Sequence, residues 1–354
     1  MTAADGNKRP YKNDALITRL GGLCFFLSTI EYIIPKPLPF FRLGLANLPV
    51  LLAVDILPFP SYCLLILIKI FGQGLINGTF FSYIFLFSIA GTVSSALIMF
   101  FARKILRNSV SYIGLSVLGA LVSNIIQLLL ARLIIFGEST RVIAPAFIAA
   151  GIITGALLGF FANIFAGKSS WLKAFSVVPA ADSEKDQKKP ENKTVPGGWY
   201  SRPVFRLVTG AVCLLALLFS GNIYVRAGIL AVSIVLQLAD RSRIRWIPAI
   251  AVSAGVVFFN LLVPFGKIIA EPFGLPLTEG ALMAGITKAV ILQGMVFLSR
   301  WMLKTTLKLP GKFGRLISES YEEFGLLLNS EEKFDIKNPV SSIDRILNTG
   351  GERL

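Results

Sequence analysis

The chain has 354 residues, 54% hydrophobic and 16% charged, with a mean hydropathy of +0.70 and a formal net charge of +15. Soluble domains carry about a quarter charged residues, so this composition excludes an ordinary soluble domain and points to a polytopic membrane protein. The chain has no histidine and only three cysteines, Cys24, Cys63 and Cys213, each isolated in an apolar stretch; His-based triads, imidazole metal sites, disulfide frameworks and zinc sites are therefore excluded.

Apolar runs cover about 15–34, 43–58, 61–77, 80–102, 111–136 and 142–166, then about 204–219, 222–239, 246–263 and 279–303. Most approach the roughly 20 residues that carry a helix across about 30 Å of hydrocarbon, and none alternates as a barrel strand would. The predicted fold is all-α, a polytopic membrane helix bundle of about ten transmembrane helices. The first run follows Lys8, Arg9, Lys12 and Arg19 and imitates a signal peptide, but the chain stays apolar long afterwards, so it reads as a retained helix. The runs at 43–58 and 61–77 are short and separated by Pro58-Phe59-Pro60, which suggests tilted or partly re-entrant segments.

The polar stretch Ala180 to Gly198 cannot bury enough apolar surface to fold and reads as a linker. The predicted organisation is a six-helix membrane domain over 1–178, a cytoplasmic linker over 179–201, a four-helix membrane domain over 202–310 and a cytoplasmic amphipathic tail over 311–354. In that tail Phe313, Leu316, Ile317, Phe324, Leu327 and Leu328 recur at helical spacing, as in an interfacial anchor or a helix that couples to a partner. Basic clusters at 103–107, 168–202, 241–245 and 304–315 fall on one side if every run crosses once. The positive-inside rule then puts both termini in the cytoplasm of a multi-pass plasma (inner) membrane protein. The same clustering makes the positive charge a matter of topology, so no nucleic-acid partner is expected.

Charged and amide groups inside a bilayer are costly and mark ligand or ion paths. Glu31 closes helix 1, and Arg42 and Asn47 open helix 2 beyond Pro35, Pro37 and Pro39. Lys69, Gln73 and Asn77 follow one another at intervals of four and share a helix face, while Asn124 and Gln127 lie three apart in helix 5. One explanation is interhelical hydrogen bonding that glues the bundle. The other is an outward pocket in which Glu31, Arg42, Asn47, Lys69, Gln73, Asn124 and Gln127 hold a small polar or anionic solute. Asp55 lies near the cytoplasmic end, as an interfacial carboxylate or a partner of Lys69. Gly151, Gly155 and Gly159 form a stripe that admits another backbone closely. No phosphate-binding GxxxxGK[ST] loop and no cofactor motif occurs.

The segments Glu31 to Pro39, Arg42-Leu-Gly-Leu-Ala-Asn47, Gly74 to Gly91 and Gly119-Ala-Leu-Val-Ser-Asn124-Ile-Ile-Gln127 resemble the Gx transporter family, also labelled heptaprenyl diphosphate synthase component I. The resemblance covers about residues 15–166. That family looks like a relative of the substrate-binding S components of energy-coupling factor transporters, which are six-helix bundles that take up vitamins or related small molecules. Phe259-Asn260-Leu-Leu-Val-Pro264, Thr278-Glu279-Gly280 and Leu309-Pro310-Gly311 more weakly resemble the transmembrane T component of those transporters. The resemblance implies a small-molecule substrate, a lipid environment, and either ATPase subunits or a prenyl synthase subunit as partner. A T component carries Ala-Arg-Gly or Ala-Arg-Ser, and neither occurs after residue 200. The other label implies a membrane subunit of polyprenyl diphosphate or quinone synthesis. A third expectation is a scaffold for a membrane flavin or redox system. Prenyl synthases need Asp-rich clusters for magnesium and diphosphate, and the clusters Asp182–Asp186, Glu322-Glu323 and Glu331-Glu332 lack that spacing, so catalysis by this chain alone is not expected.

Overall fold

A backbone in hydrocarbon must satisfy its own N–H and C=O groups, and the apolar runs accordingly fold as helices. The computed structural model describes residues 8–33, 43–169, 203–242, 244, 246–271, 276–303, 311–328 and 344–345. The first half contains α1 (Lys8–Ile33), α2 (Leu48–Ala53), α3 (Phe59–Ile76), α4 (Tyr83–Leu106), α5 (Tyr112–Ala131) and α6 (Thr140–Lys168). The second half contains α7 (Pro203–Phe219), α8 (Ile223–Ala239), α9 (Trp246–Leu261) and α10 (Glu279–Met302), followed by α11 (Gly311–Leu328). A small antiparallel hairpin, β1 (Ile268–Ala270) with β2 (Leu277–Thr278), lies between α9 and α10. The predicted linker at 179–201 and Arg42 lie outside the described residues.

By length and composition the helical stretches Phe59–Ile76, Tyr83–Leu106, Tyr112–Lys168, which holds both α5 and α6, and Glu279–Met302 can cross a membrane. The run at 43–58, expected as a tilted or partly re-entrant segment among the ten crossings, is a broken element and not one continuous helix. Gly44 turns the chain at φ 84°, a 3-10 turn covers Leu45–Asn47, and α2 then lasts only six residues, about 9 Å of helix, before the chain bends ahead of Pro58. Yet Gly21 faces Ile68 and Gly72 faces Phe25, so α1 and α3 run in the same direction. The segment between them must return across the bundle, and it does so as a broken element. All six residues of α2 are buried.

Glycines set the close contacts of the first half. A Cβ on Gly155 would stand 3.1 Å from the Val117 Cα and one on Gly159 2.4 Å from the Ile113 Cα. The predicted stripe thus packs α6 against α5 inside the protein. Tyr62, fully buried on α3, donates to the Ala96 carbonyl of α4 at 3.1 Å.

Helix α11 lies against α1 and α3. Leu316, Ile317 and Leu327 are buried, Phe313 meets Phe71, and Phe324 and Tyr321 meet Phe25. Lys312 Nζ and Arg315 reach the Asp14 carboxylate at 2.9 and 3.5 Å. The apolar face of the tail helix is therefore largely covered by the chain's own first bundle.

The two halves meet where α3 turns into α4. Phe81 N–H donates to Ser299 Oγ at 3.0 Å, and Arg300 Nε donates to the Asn77 carbonyl at 3.4 Å over Gly78. Phe136 of the α5–α6 turn meets Phe259 of α9 edge-on. Ten simple crossings would put the 77–82 turn and the end of α10 on opposite sides, and the structure joins them. The strict alternation of the predicted topology does not describe this arrangement.

Replacing Gly159 by valine should force α5 and α6 apart and cost about 1–3 kcal/mol, the usual range for overpacking. Gly167→Ala, where nothing lies within 4 Å, should leave the melting temperature unchanged or slightly raised. Thermal denaturation of both variants in detergent checks the contrast.

Candidate functional site

The broken element at 43–53 is held by polar side chains from both flanking helices. From the end of α1, Glu31 accepts from Gly44 N–H at 3.3 Å and Ala46 N–H at 3.5 Å, groups that a helix start leaves without backbone partners. From α3, Lys69 donates to Asn47 Oδ1. Glu31 is 5% exposed and Lys69 1% exposed, so both charges are withdrawn from solvent, which is tolerable only with such partners. Gln73, one turn beyond Lys69, is also buried, and its Oε1 has no hydrogen-bond partner among the described residues. Asn77 continues the face and donates to Ser28 Oγ of α1 at 3.4 Å.

On its other side the broken element meets α4, α5 and α6 around a small cavity. Asn47, Asn124 and Gln127 line it together with Thr92, Ser95, Ser116, Ser123 and Thr154. Two glycines make room for the amides. A Cβ on Gly91 would stand 2.2 Å from Gln127 Nε2, and one on Gly151 2.0 Å from Asn124 Nδ2. The amides also bind their neighbours, Asn124 donating to the Phe147 carbonyl at 2.9 Å and Gln127 to Ser123 Oγ at 3.2 Å. The free space is about 40 Å³, room for a few waters, whereas metabolite sites usually measure about 300–1,000 Å³.

The described members of the predicted set therefore divide. Asn47, Asn124 and Gln127 line the cavity, whereas Glu31, Lys69 and Gln73 stand behind the broken element, and Asn47 belongs to both groups. Sequence reasoning missed the hydroxyls of Thr92, Ser95, Ser116 and Thr154. Their signal was faint because Ser and Thr are common in membrane helices and here lie scattered over three of them.

Asp55 does not pair with Lys69. Its carboxylate takes a two-pronged hydrogen bond from Arg103 Nε and Nη2 at 2.6 and 2.7 Å, and Arg103 also donates to the Val110 carbonyl at 2.5 Å and lies over the Tyr112 ring. This clamp joins the α2–α3 turn to the α4–α5 turn at the far end of the bundle from residues 77–82. Burial alone would raise the Asp55 carboxyl, but the hydrogen bonds from Arg103 and Tyr112 outweigh it and hold the group below its ordinary value. Among the described residues no group of three or more His, Cys, Asp or Glu side chains is placed to hold a metal ion.

Fold and site together define an all-α protein with helices long and apolar enough to cross a membrane and a polar cavity in its first bundle. Residues 20–165 match the family model for heptaprenyl diphosphate synthase component I, and residues 202–305 match a domain of unknown function. The first match is consistent with a membrane protein of the heptaprenyl diphosphate system. No curated protein and no solved structure matches the chain.

The lowered Asp55 carboxyl gives a pH test. Its contribution to stability is present above the unfolded Asp value of about 3.9 and is lost as pH falls through the lower folded value. Asp55→Asn should lower stability by roughly 1 kcal/mol at neutral pH, discounted for partial exposure, and should flatten the acid limb of the melting temperature against pH.

Proposed function

We propose that residues 1–178 form a binding or translocation component for a small polar or anionic metabolite, of vitamin, flavin or isoprenoid-precursor type. Residues 202–310 would be a T-component-like membrane domain beside it, with the 179–201 linker between them and ATPase subunits supplied in trans. The supporting observation is the convergence of Asn47, Asn124 and Gln127 on a polar cavity inside an otherwise apolar bundle. The proposed site comprises Glu31, Arg42, Asn47, Lys69, Gln73, Asn124 and Gln127. Because the free space is only about 40 Å³, solute entry requires the 43–53 element to move, and Glu31 and Lys69 are the groups that hold it.

The family match favours a second reading, a non-catalytic membrane subunit of the heptaprenyl diphosphate system that works with a separate prenyl synthase subunit.

Mass spectrometry of small molecules copurifying with the detergent-solubilised chain tests the first reading. Asn124→Ala and Lys69→Met should cut retention of the copurifying solute, the lysine change by roughly tenfold to a hundredfold if it removes a charge-assisted contact. If both variants only lower the melting temperature and solute occupancy stays as in the parent protein, these groups are interhelical glue and the transport reading fails as placed. Copurification of a prenyl synthase subunit without any bound solute would favour the second reading.

A further inference from the structure

A separate cavity lies in the second half, between α8 and α9 with α10 as its floor. It measures about 580 Å³, within the range of ligand sites, and its walls are almost wholly apolar, with Leu230, Ile234, Val257 and Phe297 among them. It is open on one side, where Trp246, Ile250 and Phe258 are exposed on a helix apolar enough to face lipid.

The floor carries one polar side chain, Gln293, which is 8% exposed. Its Nε2 donates to the Ala249 carbonyl at 2.8 Å and to Ser253 Oγ at 3.1 Å. A carbonyl can only accept, so this contact fixes which end of the amide is nitrogen. Ser253 spends its own proton on the same carbonyl at 2.9 Å. The Gln293 Oε1 is thereby left as an acceptor, and no described residue donates to it.

We infer that this groove binds a single apolar chain that ends in a hydroxyl, with the chain along α8 and α9 and the hydroxyl donating to Gln293 Oε1. The chemistry selects against the other common lipid ends. A phosphate or carboxylate would set acceptor against acceptor, and an ammonium would lose its hydration to a single amide oxygen. A neutral hydroxyl supplies the missing donor at the least desolvation cost. This site is independent of the cavity in the first bundle.

Equilibrium binding to the delipidated full chain in detergent, with radiolabelled hexadecanol competed by unlabelled hexadecanol or by its methyl ether, tests the inference. The two competitors share the chain and differ in the donor. The parent protein should prefer the alcohol by about fivefold to tenfold, the equivalent of one hydrogen bond. Gln293→Leu should erase that preference, and Ala254→Trp, which fills the groove, should weaken both competitors. Equal binding of alcohol and ether by the parent protein would overturn the inference whether or not either variant folds, and so would an alcohol preference that persists in folded Ala254→Trp protein.

Discussion

Two charges with almost no access to solvent, Glu31 on α1 and Lys69 on α3, grip the same short segment, Glu31 through the Gly44 and Ala46 backbone N–H groups and Lys69 through the Asn47 side chain. The first bundle depends on this grip. α1 and α3 run in the same direction, so the chain between them must come back through the bundle, and it contains too many prolines to do so as one continuous helix. A broken crossing leaves N–H groups without backbone partners, which in a low-dielectric interior costs several kcal/mol per group. Glu31 supplies acceptors for two of them, and Lys69 anchors Asn47 one residue before α2 begins. Either charge alone would be an expensive buried ion. With hydrogen-bond partners on this segment both become tolerable, and they hold Asn47 where it lines the cavity with Asn124 and Gln127.

Small residues make the cavity possible on the opposite side of that element. Where Gly155 and Gly159 face α5, the backbones close to contact distance, whereas at Gly91 and Gly151 the missing side chains are replaced by the amides of Gln127 and Asn124. The same residue type thus seals one end of the α4–α5–α6 interface and furnishes the other with polar groups. Hydrogen-bonding glue and ligand pocket are therefore not exclusive descriptions. Each amide spends a donor on a neighbouring helix or hydroxyl, and an amide has more donor and acceptor capacity than that single bond uses.

Much of this was legible in the sequence because it depends on local pattern. Long apolar runs predicted α3 to α6 and α10, and the 151/155/159 stripe predicted a close helix contact. The spacing of Lys69, Gln73 and Asn77 predicted one shared face, and both Lys69 and Asn77 bond to groups outside α3. What failed depends on long-range geometry. At 43–58 the short run and its prolines point to a tilted or partly re-entrant segment, but how the chain turns at Gly44 and how α2 seats against α4, α5 and α6 follow from packing. Asp55 reads from sequence as an interfacial carboxylate or a partner of Lys69, and Arg103, 48 residues further on, comes beside it only through the packing of α4. The alternation of basic loops assumed that every run crosses independently, and contacts between the end of α10 and the 77–82 turn cannot be read from loop charge.

Those contacts give α3 a place in the architecture that its sequence does not suggest. The residue that caps its end, Asn77, is held by Arg300 of α10, Gly72 near its end accepts a hydrogen bond from Tyr321 of α11, and its buried lysine holds the broken crossing. Three parts of the chain therefore converge on one helix, two of them from outside the first bundle. A rigid helix held at several points transmits displacement from one to another more readily than a loop would, because packed interiors deform little. Arg300 of α10 and Tyr321 of α11 thus contact the same helix whose lysine holds Asn47, the residue shared by the buried charges and the cavity.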